Sequence, residues 1–422
     1  MRPIAVVAIA LVAVALTWLL IRSLRKKDAT TKPPTSDWRL PPGCEELRRS
    51  RERDGLRWRL PLDDVAFREL CTATVMPNAR GRCYRLKRNR EVVKCLPSFL
   101  VVGFTKAGTS VFFNYASQHH LVRAARLKEP AYLGSDVEAA EQNASAADAG
   151  TSSYAGVSAP VGKLHGGRPL AKTLRWYMGL FPACATCERG EATPGYAWRD
   201  YSAIAAAQAR LLLGGNAKLI MLVREPIERA ASHYVYFREK RKAFRVANLS
   251  QVLTSALEEF DRCASQLGGW QHQCTYRSGR RQAEVAYAAI RRSRPELWRL
   301  KAQANYELLQ PGLYSEHLTT WRAQFPAASI MVVDSAVLLA TPMKVLRRFE
   351  RHLGLPHFGG YEVTKENALA SPRYGGPKPG VAAGHALRHQ VEDGLRAQLE
   401  TFFTPFNRKL RKATGIGWTY SR

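Results

Sequence analysis

The segment from Ser98 to Ser110 constrains the fold of this chain more than any other part of its 422 residues. It opens with the apolar run SFLVVG, residues 98–103, and continues as FTKAGTS into a helical pattern over residues 109–119. A short apolar run that ends in glycine is typical of a buried parallel strand. A glycine-containing turn between a strand and a helix can direct backbone N–H groups, and the positive end of the helix, at a phosphate. The segment therefore predicts a strand, an anion-binding loop and a helix.

Two further apolar runs, residues 218–223 (KLIMLV) and 329–333 (SIMVV), predict two more buried strands. Helices are expected over residues 226–242, 342–353 and 387–403. Strands that alternate with helices indicate an α/β fold of the P-loop type, with a parallel sheet and helices on its flanks. The sequence predicts that this main domain spans residues 96–422.

The glycine loop, residues 103–110, differs from the nucleotide-binding loop of kinases and ATPases. In a Walker A loop the lysine follows the last glycine directly, whereas Lys106 precedes Gly108 by two positions. The sequence also shows no clear magnesium-binding aspartate after a second strand. A P-loop nucleotide kinase or ATPase is therefore the alternative and not the main hypothesis.

Two other segments carry groups suited to the same chemistry. Arg224 ends the second predicted strand and Ser232 lies one or two turns into the next helix, so both can face one anion. Lys128 and Glu129 follow the first predicted helix, and a positioned carboxylate can take the proton of an attacking hydroxyl.

Together these segments resemble the PAPS-dependent carbohydrate sulfotransferases of the glycosaminoglycan type, which include heparan- and chondroitin-like enzymes (PAPS is 3′-phosphoadenylyl sulfate). The glycine loop is similar to the family's loop for the 5′-phosphosulfate end, and Arg224 with Ser232 matches its 3′-phosphate pair. The segment KEPAY, residues 128–132, is similar to the segment that carries the family's general base. Further matching elements lie within residues 175–196, 312–355 and 402–410.

The resemblance implies two catalytic residues, Glu129 as general base and Lys106 as the group that stabilises the leaving oxygen. It implies that PAPS is the donor, and because nothing in the sequence requires a metal, none is expected. The residues expected to contact the donor are Thr105, Lys106, Ala107, Gly108, Thr109, Ser110, Arg224, Ser232, Arg373 and Lys378, the last two as a lid.

The implied function is sulfuryl transfer from PAPS to a hydroxyl or amine of an acidic polysaccharide or other glycan. Ala192 stands where heparan-type enzymes often have lysine, which favours a chondroitin-type or other polysaccharide acceptor. A non-enzymatic polyanion-binding membrane protein is a second alternative, since 64 Lys and Arg against 35 Asp and Glu give a net charge of +29. No zinc-finger or RNP-type motif supports nucleic-acid binding.

The amino-terminal region predicts a membrane anchor. Residues 4–21 are apolar except for Thr17, so residues 1–27 are interpreted as a signal-anchor helix, with a cleaved signal peptide as the alternative. Residues 28–95 are expected to form a basic stem with four cysteines. The basic residues after the apolar run favour a cytosolic main domain.

Glycosylation sequons at Asn143 and Asn248 and an even number of cysteines, eight, favour the opposite orientation. Because the motifs also point to glycan chemistry, we expect a type II Golgi membrane protein with a lumenal catalytic domain. A disulfide or a plain loop is expected at Cys184-x-x-Cys187 in preference to a zinc site.

Overall fold

The computed structural model describes residues 74–75, 80–85, 93–134, 174–198, 202–240, 248–266, 308–364 and 391–420. The apolar segment 4–21, the sequon at Asn143, and the proposed lid residues Arg373 and Lys378 lie outside these ranges. Within them, no helix is both long enough and apolar enough to cross a bilayer.

A five-stranded parallel sheet forms the centre of the main domain. From one edge to the other its strands are Val122–Ala124, Glu188–Ala192, Phe99–Gly103, Lys218–Val223 and Ile330–Asp334. The strands in chain order are β1 Thr74–Val75, β2 Cys83–Arg85, β3 Val93–Cys95, β4 Phe99–Gly103, β5 Val122–Ala124, β6 Glu188–Ala192, β7 Lys218–Val223 and β8 Ile330–Asp334. In a parallel sheet the carboxyl ends of neighbouring strands meet at one edge, so the segments that follow β4, β6, β7 and β8 converge.

Nine α-helices are described. They are α1 Thr109–Ala116, α2 Leu174–Gly179, α3 Ser202–Leu213, α4 Pro226–Lys240, α5 Leu249–Gln266, α6 Tyr314–Arg322, α7 Ser335–Ala340, α8 Pro342–Leu353 and α9 Asp393–Thr414. Short 3-10 turns cover Pro194–Ala197, Gln310–Gly312 and Ala327–Ser329. This architecture confirms the expected parallel sheet with flanking helices.

Burial explains why these runs form strands. Every residue of β4 is buried, as are five of the six residues of β7, because helices cover the sheet. Such strands are recognised as continuous apolar runs and not as alternating patterns. A second apolar cluster fills the space between α4, α5 and α9.

Helix α9 differs from its expected bounds. The sequence predicted a helix that ends at Phe403, whereas α9 continues through Pro405 to Thr414. Proline interrupts one backbone hydrogen bond of a helix interior. The buried apolar face of α9, which includes Phe406 and Leu410, continues beyond the proline and keeps the helix in place.

The strands β1–β3 form a separate antiparallel sheet, and a disulfide joins Cys83 of β2 to Cys95 of β3. The buried guanidinium of Arg189 in β6 donates hydrogen bonds to the backbone carbonyls of Arg80 and Leu96. This part of the predicted stem is therefore fastened to the main sheet.

Arg189 also donates to the carbonyls of Cys184 and Cys187, which form the disulfide expected as an alternative to zinc at this pair. One buried side chain thus holds both ends of the Cys-x-x-Cys turn against the start of β6.

Candidate active site

The glycine loop leaves the sheet at the end of β4. A Cβ atom added to Gly103 would lie 2.6 Å from the Cβ of Ala197, so only glycine lets the Pro194–Ala197 turn pack this closely. The N–H of Phe104 donates to the carbonyl of Leu222 in β7 at 2.9 Å. The loop is therefore fixed between the ends of three neighbouring strands.

Two residues of the loop have left-handed backbone conformations. Lys106 has φ 68° and Gly108, the residue that precedes α1, has φ 86°. No side chain caps the amino terminus of α1. The first-turn N–H groups of a helix have no partner within the helix and attract anions. The loop and helix together can therefore bind a phosphate or sulfate group.

The side chains of the loop are held by its neighbours. The Thr105 Oγ1 accepts a hydrogen bond from Trp198 Nε1 at 3.0 Å, while Ala107 and Thr109 are buried. The Lys106 Nζ lies 5.1 Å from the ring centre of Tyr236 in α4, a distance that suits a cation–π contact. Lys106 thus extends from the loop toward α4.

Arg224 and Ser232 lie at the end of β7 and within α4. Both are shielded, since the Arg224 side chain is 12% exposed and Ser232 is 2% exposed. The Tyr314 hydroxyl donates to the Arg224 carbonyl at 2.7 Å, and Glu228 lies 3.4 Å from the guanidinium. Tyr236 lies one turn after Ser232 on the same helix face, so Ser232 and the Lys106 contact are close along α4.

The amino terminus of α4 is already satisfied. Glu225 accepts hydrogen bonds from the N–H groups of Ile227 and Glu228, and the Tyr420 hydroxyl donates to Glu225 at 2.5 Å. The start of α4 is therefore closed by a carboxylate, whereas the start of α1 has no such cap. An anion near α4 would use the Arg224 and Ser232 side chains.

The Glu129 segment, residues 128–134, returns to the glycine loop. The Lys128 Nζ lies 2.6 Å from the Ser110 Oγ in α1 and 3.4 Å from the Glu129 Oε1. The Glu129 side chain is 48% exposed, which leaves it open to a large substrate. Lys128 therefore links the expected base to the expected donor loop.

A buried carboxylate lies beneath the Glu129 segment. Glu191, in β6, accepts hydrogen bonds from the hydroxyls of Tyr177 and Tyr196 at 2.9 Å and of Thr193 at 2.5 Å. Burial raises the pKa of Glu191 to about 7, and the nearby Glu129 adds to the shift. The same burial raises the pKa of both tyrosines, so their hydroxyls stay protonated and can donate.

These partners of the site were not assigned roles from the sequence. Glu191, Thr193 and Tyr196 lie in an element that was noted only for its resemblance, and Trp198 lies two positions after its last residue. The local sequence around these residues mixes polar residues with small residues and a proline. Such a pattern is typical of a turn and does not by itself predict a buried hydrogen-bond network.

The arrangement can bind an extended anionic molecule and abstract a proton beside it. The glycine loop, Arg224, Ser232 and Lys106 supply anion contacts, and Glu129 supplies a carboxylate joined to the loop through Lys128. Among the described residues, no three His, Cys, Asp or Glu side chains cluster as a metal site would require. The roles of the individual residues stay predictions, and those of Arg373 and Lys378 concern residues outside the described ranges.

Comparisons with known proteins agree with this chemistry. A sulfotransferase domain family matches residues 208–367, which include Arg224 and Ser232. Heparan sulfate glucosamine 3-O-sulfotransferase 3A1 of Mus musculus is 26% identical over 341 residues, or 78% of this chain and 66% of that protein. Heparan sulfate glucosamine 3-O-sulfotransferase 6 of Homo sapiens is 24% identical over 334 residues, or 76% of this chain and 73% of that protein.

A solved sulfotransferase structure, from Alicyclobacillus acidocaldarius, aligns with a TM-score of 0.45 and 18% identity over 77% of this chain and 98% of that chain. This chain spans 66% of the length of the mouse 3A1 relative and 65% of the mouse 3B1 relative. The curated relatives are sulfotransferases, so the kinase or ATPase alternative is not supported.

Proposed function

We propose that this chain is a carbohydrate sulfotransferase that transfers a sulfuryl group from PAPS to a hydroxyl or amine of a glycosaminoglycan, as its similarity to the sulfotransferase domain family and to the heparan sulfate sulfotransferases supports. The observation that carries the proposal is the Lys128 bridge, which joins the Glu129 segment to the glycine loop. A base joined to an anion-binding loop through a single lysine suits transfer of an anionic group to a hydroxyl.

The donor fits the two anion contacts. The open amino terminus of α1, behind the glycine loop, suits the 5′-phosphosulfate end. The shielded Arg224 and Ser232 suit the 3′-phosphate, because a charged hydrogen bond strengthens when water is excluded. When bound, PAPS supplies the activated sulfuryl group.

Two residues of the chain then act on the reacting groups, one on the proton and one on the leaving oxygen. Glu129 takes the proton from the acceptor hydroxyl as that oxygen attacks sulfur, and later releases it to solvent. The bond between sulfur and the phosphate oxygen breaks, and Lys106 stabilises the negative charge left on that oxygen. The products are a sulfated glycan and adenosine 3′,5′-bisphosphate. Most of the catalysis is positioning and electrostatic stabilisation.

The test is transfer of radiolabelled sulfate from PAPS by the full chain to a panel of heparan, chondroitin and other polysaccharides. We expect label in at least one glycosaminoglycan, and the panel decides whether Ala192 excludes the heparan type. Calorimetry should also show tighter binding of adenosine 3′,5′-bisphosphate than of ATP. No labelled glycan, or equal or tighter ATP binding, would overturn the proposal.

We also propose that residues 1–27 anchor the chain in the Golgi membrane with the main domain in the lumen. Asn248 supports this orientation because it is exposed and sits at the start of α5, where a glycan could be attached. Its Oδ1 accepts the Gln251 N–H at 2.9 Å, a contact that leaves the amide nitrogen available. Glycosidase-sensitive sugar on Asn248 is the expected result, and protease digestion of the domain in sealed microsomes would refute the orientation.

A further inference from the structure

Glu191 receives three hydroxyl hydrogen bonds although it is only 1% exposed. They come from Tyr177 of α2 and from Thr193 and Tyr196, which follow β6. An ionised carboxylate accepts hydrogen bonds and donates none. While Glu191 is ionised, each of these hydroxyls therefore points its hydrogen at Glu191.

The oxygens of two of these hydroxyls face the Glu129 segment. The Tyr196 hydroxyl oxygen accepts hydrogen bonds from the N–H groups of Tyr132 at 2.9 Å and Leu133 at 3.2 Å. The Thr193 Oγ1 accepts a longer one from Ala131 at 3.4 Å. Three consecutive backbone amides thus end on hydroxyls that Glu191 orients.

The backbone at the start of this segment needs such support. Glu129 has φ 54° and Ala131 has φ 47°, in the left-handed region that residues other than glycine rarely adopt. Conformations of this kind persist only where the surrounding structure holds them, and they are common at active sites. Pro130, between them, has no N–H to contribute.

We propose that Glu191 is a positioning residue, whose carboxylate orients the Thr193 and Tyr196 hydroxyls so that they hold the Glu129 segment in its strained conformation beside the glycine loop. This inference rests on the proposed function, in which Glu129 is the base. Glu191 itself lies beneath the segment and is shielded from the substrate.

The inference makes the site sensitive to acid. Among the described residues, the titratable groups that act on Glu191 are Glu129 of the segment, Tyr177 of α2 and Tyr196, and the Tyr132 ring stacks on Tyr177. Burial raises the pKa of Glu191 to about 7, so the carboxyl group changes its protonation state near neutral pH. A protonated Glu191 donates one hydrogen bond, and where Thr193 or Tyr196 accepts it, that hydroxyl turns its own hydrogen away from Glu191 and is withdrawn as an acceptor for the segment.

The experiment compares full-length wild type with Glu191→Gln and with a matched control, Glu188→Gln. Glu188 is a buried acid in the same strand, but it bonds Arg80 and Ser98 at the opposite end of β6. We expect Glu191→Gln to lower kcat about tenfold or more, the scale of one lost hydrogen bond to a charged group. The affinity for adenosine 3′,5′-bisphosphate should stay within about twofold in all three proteins.

The pH profile separates positioning from general structural support. In the wild type, kcat should decrease as the pH falls through about 7, whereas Glu191→Gln should lack this titration. Glu191→Asp should restore part of the rate and the titration, because it restores the ionisable acceptor. A wild-type kcat with an unchanged acid limb in Glu191→Gln would overturn the inference.

Hydrogen exchange tests the same inference without activity. Protection of the Ala131, Tyr132 and Leu133 amides, corrected for intrinsic exchange at each pH, should fall about tenfold in Glu191→Gln and not in Glu188→Gln. If Glu191→Gln does not fold, Tyr196→Phe removes the connecting hydroxyl and should give the same loss at the Tyr132 and Leu133 amides. Unchanged protection in the folded variants would contradict the inference. If the wild type transferred no sulfate but Glu191→Gln still lost amide protection, only the proposed function would be contradicted.

Discussion

The Lys128 ammonium lies 2.6 Å from the Ser110 hydroxyl oxygen, although 18 positions of sequence separate the two residues. The contact joins the first turn of α1 to the segment that carries Glu129. It brings a positive charge to the place where the glycine loop and the carboxylate meet. Lys128 therefore connects two parts of the predicted site, and the sequence suggested no separate role for it.

Replacing Lys128 with methionine should uncouple the Glu129 segment from the loop. The single-turnover rate of sulfate transfer should fall about tenfold or more, since a charge-assisted hydrogen bond is lost, while donor affinity changes less. Rapid-quench single-turnover assays measure the rate of sulfate transfer, and donor titration measures the affinity. Lys344→Met, at an exposed position of α8, is the control.

Ser110→Ala combined with Lys128→Met checks the contact itself. If the bridge accounts for the loss, the double variant should lose less than the product of the two single losses. Fully multiplicative losses would mean that the two side chains act independently.

Glu129→Gln should keep donor binding and lose chemistry. The amide preserves the shape but cannot take a proton, so turnover should fall by ~10²-fold or more. Calorimetry with adenosine 3′,5′-bisphosphate and sulfate-transfer kinetics test this, with the exposed Glu392→Gln as control. A wild-type rate in Glu129→Gln would show that another group is the base.

Ser232→Ala should act in the opposite sense, on binding before chemistry. Loss of one hydrogen bond to a charged phosphate costs about 1.5–3 kcal/mol, so donor affinity should fall roughly 10- to 100-fold. Ser329→Ala is a matched control, because Ser329 is also buried but lies beside the amino end of β8. Equal donor affinity in wild type and Ser232→Ala would remove Ser232 from the donor site.

The free energy of unfolding should depend on pH because the Glu191 carboxyl is buried. Its pKa rises from the ordinary value of 4.5 to about 7 in the folded chain, so the folded state binds a proton that the unfolded state has released. This contribution is complete below pH ~4.5 and is lost as the pH rises through about 7, by about 3 kcal/mol in total. Relative to Glu191→Gln, the wild type should lose stability between about pH 5 and about pH 8, as denaturant titrations can measure. A pH-independent difference would contradict the buried titration.

Strands and helices with continuous patterns were predictable. β7 and α8 have the expected bounds, because an apolar run marks a buried strand and Pro342 with Gly354 marks the two ends of a helix. β6 was not predicted as a strand, since its sequence ERGEA is polar. Its charged residues are buried against partners distant in sequence, which no local pattern reveals.

The sequence indicated where the predicted site residues lie relative to the strands, but it did not indicate the contacts that hold them in place. The glycine loop and Arg224 directly follow strands that the sequence indicated, and Ser232 lies in the helix after the second of them. The strained conformation of Glu129 and the hydroxyl network on Glu191 depend on tertiary contacts between segments about 60 residues apart. Such contacts are set by packing, which a single sequence does not specify.

The four carbonyls that converge on Arg189 have a practical consequence for producing the protein. A shortened form that started at Leu96, the boundary suggested by composition, would remove the carbonyl of Arg80 and the Cys83–Cys95 crosslink. The guanidinium would keep its charge but lose a partner in a buried position, at a cost of about 1–3 kcal/mol. Shortened forms for assay or crystallisation should therefore start upstream of Arg80 and be made where disulfides can form.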